Sequence, residues 1–248
     1  MGNAESVTSD SGQPGIYYAG DKRPLVVLTV PHSACGLKLG VDIHEANKMD
    51  WTDLIELADT IDRHAYPETA RRMCDRRALQ AALLLRAAFL IQDVGHDRIR
   101  VLIFANTEEP REECDSNRFE NCHLEEEVVR TLAPLLNLEG RPKTINIDVH
   151  SFPTRGKAGD VLDGTDNNHV YFLTRTANEM KGLAGWPERR GTSANLFLNA
   201  FPEQGVESVL VEFHENKAEY PFSSLEVDCI FLAKQFYNGF GNNKFRIV

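Results

Sequence analysis

The run TINIDVHSFP, residues 144–153, joins an apolar alternation to an abrupt polar end. Ile145, Ile147 and Val149 alternate with Asn146 and Asp148. On a strand, Asp148 and His150, two residues apart, fall on one face. A carboxylate and an imidazole delivered together at the end of a buried strand suit metal chemistry. His150 would be the ligand, with Asp148 either behind it, orienting the ring, or beside it as a rim acid. A second histidine, His32, follows another apolar run, PLVVLTV at 24–30, and like His150 it precedes a serine. One such histidine is most simply a hydrogen-bonded structural residue. Two at the ends of parallel strands make joint metal ligation an equally good reading.

Other strand ends add to the set. The run VESVLVEF, residues 206–213, carries Glu212 near its end, with Glu215 and Tyr220 beyond it. A carboxylate in so apolar a setting is costly unless partnered, and a metal-bound water or an arginine would serve. The run IRVLIFAN, residues 99–106, leads into NTEEPREECDSNR, which supplies Asn106, Arg111, Asp115, Asn117 and Arg118. The plainer readings are surface ion pairs for the arginines and a turn for Asn117.

These residues need a frame that gathers strand ends. Apolar runs at 24–30, 99–106, 169–174 and 206–213 and the alternating run at 144–150 predict strands, with 24–30 continuous enough to be covered on both faces and 99–106 a second buried strand. Helical patterns occupy 51–93, broken at Pro67 and restarting near Cys74–Asp75, then 123–136, 192–201 and 224–237. The stretch ALQAALLLRAAFLIQ, residues 78–92, is too short and too interrupted, by Gln80 and Arg86, to span a bilayer. It reads as a helix buried on most sides. Alternating strands and helices predict an α/β fold with a mostly parallel, mixed central sheet and helices on both faces. Ligands in such sheets sit at the carboxyl ends of the strands, where the candidate residues lie.

At 248 residues the chain suits one sizeable domain, 21–248, behind a loose Ser- and Gly-containing arm, 1–20. Hydrophobic residues at 42% are enough for a full core, and a net charge of −10 argues against a nucleic-acid surface. Five scattered cysteines and no secretory leader point to a reducing, cytoplasmic setting with free thiols. The start MGNAES fits a myristoylation pattern at Gly2. With no polybasic segment after it, one acyl chain would give only weak, reversible membrane attachment.

PHS, DSNR with an arginine four residues before its Asp, DVHSFP and the glutamate of the last strand, in that order, resemble the N-formylglutamate amidohydrolase family. That family is related in fold to zinc carboxypeptidases and aspartoacylase-like deacylases, and the motifs span about residues 25–221. The resemblance implies a zinc-dependent hydrolase on a carboxypeptidase-like sheet, acting on an amide bond beside a free carboxylate. The substrate would be an N-acyl amino acid or a peptide C-terminus. His32 and His150 match the two histidine ligands, and Glu212 the general base. Arg111 resembles the arginine that polarises the scissile carbonyl. Asn117 and Arg118 resemble the pair that grips the substrate carboxylate, with Asp115 and Tyr220 on the same substrate side. The third ligand is open between Asp75, which is preferred, and Cys35, with a Cys35–Cys74 disulfide a further option. Two other activities remain in view: a carboxypeptidase or N-acyl-amino-acid deacylase, and a non-catalytic descendant that binds a carboxylate ligand or a protein. Glu212 speaks against the last, because a binding module needs no general base.

Overall fold

The computed structural model describes residues 23–34, 40–64, 74–107, 127–128, 130–132, 143–152, 170–174, 188–190 and 206–242. Their strands are β1 (Leu25–Val30), β2 (Arg100–Ala105), β3 (Thr144–Phe152), β4 (Val170–Thr174), β5 (Glu188–Arg190) and β6 (Glu207–His214). They form one sheet in the order β2-β1-β3-β6-β4-β5. Strands β2, β1, β3 and β6 run parallel, while β4 is antiparallel to β6 and β5 parallel to β4. The fold is thus α/β with a mixed, mostly parallel sheet. The short strand β5, reading Glu-Arg-Arg, carries no apolar pattern and was not legible in the sequence.

The helices are α1 (Ile43–Ala46), α2 (Trp51–Arg63), α3 (Ala78–Gln92) and α4 (Phe222–Asn242). Helix α2 starts where Asp50 accepts the backbone N–H groups of Thr52 and Asp53 at 2.8 and 3.0 Å, satisfying donors that a helix start leaves orphaned. Its inward stripe is Leu54, Ala58 and Ile61. Helix α3 is apolar nearly all round because it lies between the sheet and helices α2 and α4. Of its two polar interruptions, Arg86 is buried and donates to the carbonyls of Val101, Met49 and Asn47 at 3.3, 2.8 and 2.5 Å. Burial lowers its pKa to about 10.

Register decides what each face of the sheet carries. Leu28 pairs with Ile147 and Ile103, and Ile147 with Val209. These residues, with Val26, Val149, Val211 and Phe213, share one core cluster with α2, α3 and α4. Thr29 pairs with Asp148, and His150 with Glu212, on the opposite face. The predicted helix at 192–201 lies outside the described residues, whereas 127, 128 and 130–132 are helical. Among the described residues no helix is long and apolar enough to cross a membrane.

Candidate metal centre

The centre is built at the carboxyl ends of β1, β3 and β6. Past β1 the chain turns through Pro31 to His32, which is 2% exposed. The serine after it fixes that turn: Ser33 Oγ donates to the carbonyl of Asn106 at 2.6 Å, and the Asn106 N–H donates to that of Val30 at 3.0 Å. The approach to α3 is tied to the same point, because the Asp75 N–H donates to the carbonyl of His32 at 2.7 Å. Strand β3 stays paired with β6 through Phe152, two residues beyond His150. His150 is therefore held by sheet hydrogen bonding rather than on a loose end.

The side chains converge. Asp75 Oδ2 lies 2.7 Å from His150 Nδ1 and 3.4 Å from His32 Nδ1. The two imidazoles meet edge to face with centroids 5.1 Å apart. On its other nitrogen, Nε2, His150 faces Asp148 Oδ2 at 3.1 Å, and Asp148 Oδ1 accepts the Thr29 hydroxyl at 2.8 Å. With Nε2–H donated to Asp148, Nδ1 can present its lone pair toward Asp75 and His32. Asp148 thus takes the orienting place behind the ring rather than a place on the rim. One donor atom from each of His32, Asp75 and His150 lies within 4.8 Å of the others, a group that could hold a metal ion. Two imidazoles and a carboxylate form a donor set of the kind found in open, catalytic zinc sites.

Electrostatics match this geometry. Burial works against the Asp75 carboxylate, but hydrogen bonds and charge from His150 and His32 outweigh it and hold its pKa below the usual range. Burial likewise opposes a charged His150, yet the charge and hydrogen bond of Asp148 and the contact with Asp75 raise its pKa well above normal. Asp75 and Asp148 flank the His150 ring at its two nitrogens, and both favour its charged form. Glu212, in register with His150, has its pKa raised to about 7, chiefly by burial, with the charge of His150 opposing and those of Asp75 and Asp148 reinforcing the rise.

The structure brings His32, Asp75 and His150 together and sets Glu212 beside them. Cys35, Arg111, Asp115, Asn117 and Arg118 lie outside the described residues, as does Gly2. Tyr220, the remaining substrate-side candidate, is buried. It is 1% exposed, its hydroxyl donates to Asp228 at 2.6 Å, and the Arg77 guanidinium stacks 5.4 Å from its ring centre. Arg77 also donates to the carbonyl of Tyr220 at 2.5 Å and to Asp62 at 3.1 Å. The expectation of free thiols holds for buried Cys229 but not for Cys74, which is disulfide-bonded. Wide spacing along the chain says little about proximity in the fold. Sequence reasoning also missed Thr29 as the support of Asp148; its only signal was a lone hydroxyl in the run LVVLTV.

The molecule is thus an α/β sheet protein with a His/Asp/His cluster at the carboxyl ends of its parallel strands. Among solved structures it is similar to the gene product Atu2144 from Agrobacterium tumefaciens, at 15% identity and a TM-score of 0.50, covering 90% of this chain and 92% of that one. It also matches an N-acetylmuramoyl-L-alanine amidase from Clostridium difficile 630 at 10% identity and a TM-score of 0.42, covering 90% and 99%. A metallo-carboxypeptidase from Burkholderia cenocepacia matches at 9% identity and a TM-score of 0.36, covering 92% of this chain and 62% of that one. The first likeness establishes a shared fold; the other two are too distant to carry an argument. No protein-family model matches the chain, and no curated protein sequence matches it significantly.

Proposed function

We propose that the protein is a zinc-dependent amidohydrolase, similar in activity to N-formylglutamate amidohydrolases, that cleaves an amide bond beside a free carboxylate. The observation that carries the reading is the convergence of His32, Asp75 and His150 on one point, with Asp148 orienting His150 from behind. Those three residues would hold the ion. When bound, zinc supplies Lewis acidity, lowering the pKa of a water to about 7 and polarising a carbonyl.

The chain's own residues do the rest. Glu212 sits next to His150 in register, is partly buried and has a pKa near neutrality, at about 7. A carboxylate at that place accepts a proton from the attacking water and returns it to the leaving amine. Arg111 is assigned to the developing oxyanion, a contribution commonly worth about 3–4 kcal/mol. Arg118, with Asn117 beside it, is assigned to the substrate carboxylate, which a guanidinium grips through paired hydrogen bonds.

A panel of N-acyl amino acids, their carboxamides and short peptides, offered to zinc-loaded protein, tests the proposal. Hydrolysis of the free acids in clear preference to the amides is expected. Arg118→Ala should raise KM and narrow that preference, with kcat falling less. A metal-loaded protein that hydrolyses none of the panel would overturn the activity, whatever the metal content.

A further inference from the structure

We propose that Glu215, acting with Ser151, is a positioning brace that sets the separation of Asp75 and His150. The inference rests on the reading of His32, Asp75 and His150 as metal ligands. Glu215 lies just beyond β6, and its side chain is 7% exposed. Its Oε1 accepts the Arg76 N–H at 2.8 Å and the Ser151 hydroxyl at 2.8 Å. Ser151 Oγ in turn accepts the Arg77 N–H at 3.1 Å. Arg76 directly follows Asp75, and Ser151 directly follows His150. Each hydrogen bond therefore grips the neighbour of a ligand, and one carboxylate oxygen joins the two grips.

The backbone of Glu215 is itself fixed, its N–H donating to the carbonyl of Phe152 at 3.0 Å. That bond continues the β3–β6 pairing past His214. Three elements consequently meet at Glu215: the end of β3, the exit of β6 and the lead-in to α3. Capping alone would not require this arrangement. Helix α3 has no side-chain cap at Arg77, and a local Ser, Thr, Asn or Asp would satisfy the same donors without touching β3. A buried carboxylate is a costly substitute, and burial raises the pKa of Glu215. What it adds over a local cap is a link from the Asp75 segment to the His150 strand.

Cobalt(II) titration followed by visible absorption, with zinc affinity by competition, tests the brace on the full chain, folding being checked by circular dichroism. Glu215→Ala should weaken metal binding about 10–100-fold, the usual effect of losing an outer support of a metal ligand, and should change the cobalt spectrum. Ser151→Ala removes one hydrogen bond of the link and should cost about 3–10-fold. Glu215→Gln keeps an acceptor oxygen and should restore affinity and spectrum most of the way to wild type. Folded Glu215→Ala and Ser151→Ala proteins with wild-type affinity and spectrum would overturn the brace. If Glu215→Ala does not fold, Ser151→Ala decides alone, a loss supporting the brace and no change overturning it. Wild-type protein that takes up neither metal would instead overturn the ligand reading, and the brace with it.

Discussion

The two faces of the same strands differ in kind. Toward α3 the sheet presents Val26, Leu28, Ile147, Val149, Val209, Val211 and Phe213, all in one core cluster with the helices. On the opposite face, one residue along each strand, stand Thr29, Asp148, His150 and Glu212. The first face is held by burial, which is non-directional and tolerant of small shifts. The second holds buried polar groups, each expensive unless its partner is placed within a few tenths of an ångström. Strand alternation keeps the two from interfering: a rigid apolar face fixes the backbone, and the polar face uses that rigidity to aim its side chains.

Substitutions that separate the faces should break function and stability independently. The largest effect belongs to Glu212→Gln, which removes the carboxylate proposed as proton acceptor and leaves Asp75, the proposed carboxylate ligand, untouched. It should lower kcat about 10²–10⁴-fold at unchanged metal content, read by steady-state kinetics beside elemental analysis. Undiminished kcat would take the base role from Glu212.

Leu28→Ala comes next, on the apolar face. Leu28 is fully buried, and its truncation should cost about 2–5 kcal/mol of stability, measured by denaturant unfolding. Metal binding by the folded fraction should stay at the wild-type level. A matching loss of metal affinity would show that the faces are coupled more tightly than alternation implies.

Asp148→Asn is the converse and the smallest change. It keeps size and the Oδ1 contact with Thr29 but turns an amide N–H toward the His150 Nε2–H, so the hold on that nitrogen is lost. Metal affinity should fall about 10–100-fold, with the unfolding midpoint moving little. A wild-type affinity would mean that the strand alone orients His150.

The apolar face was legible in the sequence because burial leaves a pattern. Runs such as LVVLTV and TINIDVHSF announce strands, and ALQAALLLRAAFLIQ a surrounded helix. The shared face of Asp148 and His150 followed from strand period alone. Less could be read where structure depends on contacts distant in sequence. Glu215 reaches Arg76 across 139 residues, and nothing local to either position signals that bond. Arg77 stacks on Tyr220 and donates to its carbonyl from 143 positions earlier, and nothing near Tyr220 in sequence announces that contact. Strand β5 is three residues long and polar, joined to the sheet by pairing with β4 rather than by any pattern of its own.

His32, Asp75 and His150 are proposed to make one metal site. Elemental analysis of wild-type protein beside His32→Ala and His150→Ala, each dialysed against zinc and then against buffer, tests it most directly. About one zinc per wild-type chain and little in either variant are expected, because two remaining ligands hold zinc poorly. Wild-type protein without stoichiometric metal, or variants that keep it, would rule out a metal site at these three residues.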